Sequence, residues 1–248
     1  MSSDDLYRIR WREGWTILQY LYRHPEDTSQ IARVIEAWQG RSLPRMLRRM
    51  RGRPAGRELL ARQPALHRAL SDWDWLRTLP EGSLGRAYLD YCHEVGATQE
   101  GMKTYVEEGT SSERTNRLPP DERFIQNTLF LSHDLYHIVS GYKTDLVGEI
   151  CLLAFTAAQL RNTGVFAMMM LGMVSIRLPR LAGQRMMIQA FVRALRAEWF
   201  PEQDWVELMA LPLEQIQRRL SVWPPPRYEP LWVGQARRQR MPAAGSRA

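Results

Sequence analysis

Apolar residues recur at helical spacing along almost the whole of this 248-residue chain, and this pattern limits what it can fold into. Between Thr28 and Trp38, for example, Ile31, Val34 and Ile35 share a stripe with Trp38, and Thr28 occupies the position of an N-cap. We find no convincing alternating strand pattern and no internal repeat. The sequence therefore predicts an all-α fold.

Turn residues separate the predicted helices. The polar stretch 106–120 is expected to be a loop, because small polar residues are followed there by Pro119 and Pro120. A turn at 79–85 is expected to lead into a helix that ends at residue 92. The other predicted helices cover 14–22, 28–38, 42–53, 121–139, 144–161, 164–176, 183–199 and 212–220.

Composition favours one domain. Hydrophobic residues make up 44% of the chain, which is enough to bury one sizeable core, and no linker-like stretch divides the middle. We predict a single helical domain over residues 1–226, with basic helices at its N-terminal end. After the prolines at 224–226, residues 227–248 are polar and rich in Arg, and we predict an extended or disordered tail.

Basic residues concentrate at the two ends of the chain, which has a net charge of +7. Such ends on a slightly acidic body favour an anionic membrane surface or nucleic acid as partner. Nucleic acid is not expected, because no aromatic–basic interleaving or finger motif is present. Solvated ends and a compositional bias towards Arg are the alternative, since Lys103 and Lys143 are the only lysines. The basic helix at 42–53 could lie on lipid or be an ordinary surface helix.

The most apolar run, from Val165 to Ile176, spans 12 residues, whereas about 20 are needed to cross a membrane. It predicts a buried helix, or a wall for an apolar ligand made of the flexible methionines Met168, Met169, Met170 and Met173.

The two cysteines, Cys92 and Cys151, are far apart, which favours a reducing compartment without disulfides. The acidic start lacks secretory or transit character.

One segment carries a metal-ligand pattern: His133-Asp134-Leu135-Tyr136-His137, followed after eleven residues by Glu149. On a helix, the Cβ atoms of His133 and His137 lie about 6 Å apart on one face, so both imidazoles can reach one ion. Asp134 lies about 100° round from His133. Residues 140–144 predict a turn that returns the chain. Two imidazoles and two carboxylates suit zinc, iron(II), manganese or cobalt.

The surroundings of these residues leave a second interpretation open. The two histidines and Asp134 fall on a polar arc that could be the solvent face of a helix. Glu149 instead falls on a stripe of leucines, where an unpaired carboxylate would be costly. It could bind a metal with the other three residues, or it could pair with an arginine. We favour the metal site; the candidate arginines are Arg123 and Arg161.

The stretch from His133 to Glu149 resembles the signature of the ubiquinone (coenzyme Q) biosynthesis protein four family, which is His-Asp-x-x-His, eleven residues, then Glu. All four positions and the spacing match. Residues 79–85 (Leu-Pro-Glu-Gly-Ser-Leu-Gly) and 211–213 (Leu-Pro-Leu) are similar to other segments of the family. The resemblance implies an all-helical protein that binds a divalent ion through His133, Asp134, His137 and Glu149. It also implies peripheral attachment to a membrane and isoprenoid lipid held between helices.

The implied activity is metal-dependent decarboxylation of a polyprenylated 4-hydroxybenzoate intermediate in ubiquinone biosynthesis, with hydroxylation at the same carbon as a coupled step. The four motif residues would be both metal ligands and catalytic residues, and the Met-rich helix would contact the isoprenoid tail. The implied partners are other ubiquinone-biosynthesis enzymes, and a homo-oligomer is compatible with the sequence. Without a transit peptide, the chain resembles a bacterial member, cytoplasmic and peripheral on the inner face of the membrane.

Two alternatives to this activity stay open. The chain could be a non-catalytic, lipid-binding scaffold that organises ubiquinone-biosynthesis enzymes, with a structural metal. It could also keep the family fold and act on another aromatic acid, since spacing does not identify the residues that would bind the ring. A purely structural ion more often has a closed, Cys-rich shell, which favours the catalytic interpretation.

Overall fold

The structure of the protein is a computed structural model that describes residues 6–24, 29–110, 112–175 and 180–230. Within these ranges it contains sixteen α-helices and one short 3-10 helix, and no β-strand. The prediction of an all-α, single helical domain is confirmed. The boundary at residues 226 and 227 stays a prediction, and most of the predicted tail lies outside the described residues.

Short helices alternate with a few long ones along the chain. The 3-10 helix covers Phe200–Glu202. In chain order the α-helices are α1 (Trp11–Arg23), α2 (Ser29–Trp38), α3 (Ser42–Arg51), α4 (Pro54–Arg62), α5 (Leu66–Ser71), α6 (Trp73–Thr78), α7 (Leu84–Glu94), α8 (Gln99–Thr110), α9 (Glu113–Arg117), α10 (Pro120–Leu131), α11 (His133–Ser140), α12 (Leu146–Leu160), α13 (Thr163–Ser175), α14 (Arg180–Arg196), α15 (Trp205–Leu208) and α16 (Leu213–Arg219).

Helix α12 lies at the centre of the molecule. It packs most extensively against α14 and also against α13, while α11 packs on α7 and α16. The main core contains fully buried side chains from most of these elements, including Tyr88, Leu135, Phe155 and Trp205. Outside this core, α2 packs on α13 and α1 packs on α2, so α1 forms an outer layer. The elements that carry the metal-ligand pattern therefore belong to the central part of the fold.

The predicted loop at 106–120 is wrong over most of its length. Helix α8 continues to Thr110, and α9 begins immediately after Ser112, whose hydroxyl accepts a hydrogen bond from the backbone N–H of Thr115. Serine favours both turns and N-caps, so a polar stretch can contain a capped helix. Pro120 begins α10, where its missing N–H costs nothing.

The basic helix α3 buries its apolar side inside the protein. Leu43, Met46, Leu47 and Met50 belong to a second hydrophobic cluster. The Arg49 guanidinium lies over the ring of Trp199, with its central carbon 4.0 Å from the ring centroid. The apolar face of α3 is therefore unavailable to lipid, and the interpretation of this segment as an ordinary surface helix is the one that the structure supports.

The Met-rich run forms α13, and its methionines differ in exposure. Met168 and Met169 are buried, whereas Met170 is exposed. The side chain of Met173 lies outside the described residues. No helix in the described ranges is long and apolar enough to cross a membrane. Part of this helix therefore fills the core, as the buried-helix interpretation expects.

Candidate metal centre

Two helices and the turn between them present the predicted ligands. His133 and His137 lie one turn apart on α11, and Glu149 lies in the first turn of α12. Helix α11 ends at Gly141, whose φ of +78° is a left-handed conformation that favours glycine. Asp145 caps α12 by accepting a hydrogen bond of 3.0 Å from the backbone N–H of Val147. The predicted turn is therefore present, and it folds Glu149 back onto α11.

The structure brings together three of the four predicted residues. One ligand atom each from His133, His137 and Glu149 can be chosen so that all three lie within 4.8 Å of one another. The Nε2 atom of His137 lies 3.3 Å from Oε1 of Glu149, and the two imidazole rings are 4.9 Å apart at their centroids. Atoms at these separations can converge on one ion.

The hydrogen bonding of His137 shows that this group fits a cation. Its Nδ1 lies 2.9 Å from the carbonyl oxygen of Tyr142. A carbonyl can only accept, so Nδ1 carries the proton and Nε2 of the neutral ring has a free lone pair. This buried Nε2 has no hydrogen-bond partner in the described part of the chain, and it faces the Glu149 carboxylate. Two acceptors in contact require a cation between them, either a proton or a metal ion.

Asp134 lies beside this group rather than within it. Its Oδ1 is 3.3 Å from Nδ1 of His133 and accepts a hydrogen bond of 3.3 Å from the hydroxyl of Tyr91. A carboxylate in this position fixes the orientation of the imidazole. Direct coordination by Asp134 stays a prediction. The ion pair that Glu149 makes among the described residues is with His137, so pairing with an arginine is not supported.

Two of the three candidate ligands keep accessible surface. The side chains of His133 and Glu149 are 49% and 44% exposed. Burial is nevertheless the largest single influence on the pKa of each. The open side of the group is therefore accessible to a ligand.

The charges of these residues stabilise one another in the metal-free protein. Burial lowers the pKa of His133, but the hydrogen bond and charge of Asp134 and the charge of Glu149 outweigh it, so the pKa is raised. Burial raises the pKa of both carboxyl groups. The contacts of Asp134 with His133 and of Glu149 with His137 outweigh burial, and both pKa values are lowered. A proton on His133 thus supplies positive charge beside the two carboxylates.

Four residues that support the site are absent from the sequence prediction. They are Tyr91, which donates to Asp134; Tyr142, whose carbonyl fixes the proton on His137; and Arg193 and Tyr228, which contact the turn. Tyr142 lies between His133 and Glu149, but it contributes a backbone carbonyl. Any residue type has this group, so the sequence gives no sign of the role. The other three lie on separate elements, and only the fold shows their proximity.

Comparison with known proteins places the chain in a family. The family model described as "Coenzyme Q (ubiquinone) biosynthesis protein Coq4" matches residues 19–226. Similar relatives are mitochondrial ubiquinone biosynthesis proteins from Yarrowia lipolytica (28% identical) and Eremothecium gossypii (27% identical). These matches cover 70% and 88% of this chain, but 63% and 65% of the relatives, so the chain spans less than two thirds of either relative.

A solved structure shares the fold. A crystal structure from Nostoc punctiforme PCC 73102, whose description assigns it provisionally to ubiquinone biosynthesis, superposes with a TM-score of 0.62 at 21% sequence identity. The match covers 87% of this chain and 99% of that protein. The family match extends over the helices that carry His133, His137 and Glu149, and the chain belongs to the Coenzyme Q (ubiquinone) biosynthesis protein Coq4 family.

Proposed function

We propose that this protein removes the ring carboxyl group of a polyprenylated 4-hydroxybenzoate intermediate of ubiquinone biosynthesis. A divalent ion bound by His133, His137 and Glu149, with Asp134 as a further ligand or as a partner of His133, would be required. The observation that carries the proposal is the Nε2 of His137, which has no hydrogen-bond partner among the described residues and faces the half-exposed Glu149 carboxylate. Membership of the Coq4 family supports the choice of pathway.

The donor set suits catalysis better than a purely structural site. Three or four protein ligands leave positions open on an ion that accepts five or six, and two of the ligands, His133 and Glu149, are half-exposed. When bound there, a divalent ion supplies Lewis acidity towards the oxygens of a substrate. Neither free cysteine belongs to the group, and Cys92 and Cys151 are both buried.

Residues of the chain supply binding and proton positioning around the group. Leu146 and Leu153 lie on α12 on either side of Glu149, are partly buried and pack against the core, so their free surface suits an isoprenoid chain. Loss of CO₂ leaves an electron pair on the ring carbon, which a proton must take up. The hydroxyl of Tyr91, which donates to Asp134 next to His133, is one group near the site that can deliver it.

A row of exposed aromatic residues on α1 supports peripheral attachment to an anionic membrane. Trp11, Trp15 and Tyr22 are 64%, 57% and 88% exposed, and their spacing places them on one face of the helix. Arg12 and Arg23 are exposed on the flank of this row. Tryptophan and tyrosine favour the membrane interface, and arginine is attracted to anionic head groups. The α1 aromatic row thus replaces α3 as the candidate membrane contact.

The test is an aerobic incubation of the metal-loaded protein with a prenylated 4-hydroxybenzoate, with and without a two-electron donor. Release of CO₂ and the mass of the product are measured. A proton in place of the carboxyl group indicates simple decarboxylation. A hydroxyl group at that carbon indicates oxidative decarboxylation at the expense of O₂ and the donor. We expect CO₂ release that depends on the ion.

Variants make the assay specific for the site. His137→Gln and Glu149→Gln preserve side-chain size, and we expect each to lose metal and to lower turnover by about a thousandfold. Glu94→Gln, at the exposed end of α7, is the matched control and should leave turnover unchanged. A His137→Gln protein that lacks metal but still releases CO₂ contradicts the proposal. Bound metal and substrate without turnover would favour a scaffold or another aromatic acid.

A further inference from the structure

We propose that residues 222–228, here called the C-terminal strap, position the metal ligands by holding the turn between α11 and α12. The inference rests on the proposed metal site and adds a part of the chain that lies outside the signature. The strap has no regular secondary structure, and it runs across Gly141 and residues 143–145 of the turn. It carries two of the contacts that tie this turn to the rest of the protein.

Tyr228 holds the start of the helix that carries Glu149. Its hydroxyl donates a hydrogen bond of 3.0 Å to Oδ2 of Asp145 and accepts one of 3.0 Å from the backbone N–H of Lys143. Asp145 is buried, and its other carboxylate oxygen caps α12. The backbone N–H of Glu149 donates to the Asp145 carbonyl at 2.9 Å, one turn into that helix. Holding Asp145 in place therefore holds the first turn of α12, and with it Glu149, in a fixed orientation.

Arg193 of α14 ties the other end of the strap to α11. Its Nη2 donates to the carbonyl oxygen of Ser140 at 3.0 Å and also to the carbonyl oxygen of Trp223 in the strap. The guanidinium carbon lies 4.9 Å from the ring centroid of Tyr142. The carbonyl of Tyr142 accepts the hydrogen bond from Nδ1 of His137. Arg193 thus contacts both Ser140 at the end of α11 and Tyr142, the residue whose carbonyl orients His137.

Two glycines between His137 and Glu149 leave room for these contacts. A Cβ atom on Gly141 would lie 2.8 Å from Cδ of Pro225 in the strap. A Cβ atom on Gly148 would lie 1.9 Å from the Lys143 carbonyl oxygen and 2.8 Å from the Tyr228 hydroxyl. Such distances exclude any side chain without a shift of backbone or strap. The glycines between the histidines and Glu149 are therefore explained by the packing of the turn and the strap.

Partners that orient metal ligands typically change affinity by about 10–100-fold when they are removed. The variant Tyr228→Phe in the full chain removes both hydroxyl contacts and keeps the ring. We expect it to bind Co²⁺ at least about tenfold more weakly than the wild type and to change the visible absorption spectrum of the bound cobalt. Tyr20→Phe, on α1, is the matched control and should leave both unchanged.

Two measurements distinguish the possible outcomes of this test. They are a cobalt titration followed by absorption and the thermal unfolding of the metal-free proteins. A lower unfolding temperature with wild-type cobalt affinity and spectrum would overturn the inference, because the strap would then only stabilise the fold. A wild type that binds no cobalt overturns both this inference and the proposed function. A wild type that binds cobalt but never turns over substrate removes the proposed function alone.

Discussion

At the scale of single residues, His137 has two ring nitrogens with different roles. Nδ1 donates to the carbonyl of Tyr142, and Nε2 is left facing the carboxylate of Glu149. In the neutral ring, the backbone therefore selects the tautomer whose Nε2 can bind a metal ion. The same contact explains why this site needs a cation, because a lone pair and a carboxylate repel each other when nothing lies between them.

Metal affinity should fall as the pH is lowered from about 8 to about 6, because protons compete with the ion for the histidines. The pKa of His133 is raised above its ordinary value: burial lowers it, but Asp134 and Glu149 outweigh burial. Binding must then displace a proton even near neutral pH. Calorimetry in buffers with different ionisation enthalpies measures the protons released. Affinity and proton release that do not vary with pH would contradict the raised pKa.

The metal-free protein should be most stable at mildly acidic pH. The raised pKa of His133 contributes stability below its ordinary value of 6.5, and this contribution is lost as the pH rises through the folded value. The lowered pKa values of Asp134 and Glu149 contribute stability above their ordinary range, and this is lost as the pH falls through the folded values. Thermal unfolding in a chelator measures the profile, and His133→Gln should flatten its alkaline side.

The residues of the candidate site could be predicted where they belong to one local pattern in the sequence. His133, His137 and Glu149 lie within seventeen positions, and helical spacing alone places the two histidines side by side. Tyr91 lies 43 residues from Asp134, and Tyr228 lies 83 residues from Asp145. Periodicity carries no information about such contacts, because they depend on how helices pack.

At the scale of elements, Ser132 divides what the sequence predicts as one helix at 121–139. Its φ of −84° and ψ of 0° separate α10 from α11. Its buried hydroxyl donates to the carbonyl of Leu129. The apolar spacing continues across this residue, so no pattern marks the break. The three short helices between residues 54 and 78 were not predicted either, because each is too short to show a full amphipathic repeat.

Gln159 joins three elements, and its replacement by Leu should cost about 2–4 kcal/mol of unfolding free energy. Its buried side chain donates to the carbonyl of Ala194 at 2.6 Å and accepts from the backbone N–H of Phe200 at 2.9 Å. Leucine leaves both backbone groups buried without a partner. Urea unfolding at fixed pH measures the change. The exposed Gln189→Leu is the control, and an equal effect of both variants would contradict this account.

At the scale of the whole molecule, the α1 aromatic row should control attachment to membranes. Trp11→Ser with Trp15→Ser should weaken binding to vesicles that contain about 30% phosphatidylglycerol by about tenfold or more, because both indoles leave the interface. Sedimentation with vesicles measures the bound fraction, and added salt should weaken binding further. Trp223→Ser, an exposed tryptophan outside α1, is the control. Unchanged binding of the double variant would contradict attachment through α1.

The fold class could be predicted because helical periodicity is a local property of the sequence and is visible in nearly every segment. The arrangement of the layers does not follow, since α1 and α3 are both amphipathic and basic. Only tertiary packing shows that α3 buries its methionines, whereas α1 leaves Trp11 and Trp15 exposed. A charge pattern can therefore indicate that a chain has a basic surface without indicating which helix carries it.

The turn clamped by Tyr228 contains Lys143, one of only two lysines in the chain, and the side chain of Lys143 is exposed. A lysine-specific protease thus has two possible cleavage sites, and one of them separates His133 and His137 from Glu149. Cleavage at that bond requires the local backbone to unfold into the protease, which the hydrogen bond from the Lys143 N–H to Tyr228 opposes. Resistance to proteolysis at a single peptide bond therefore reports whether this turn is intact.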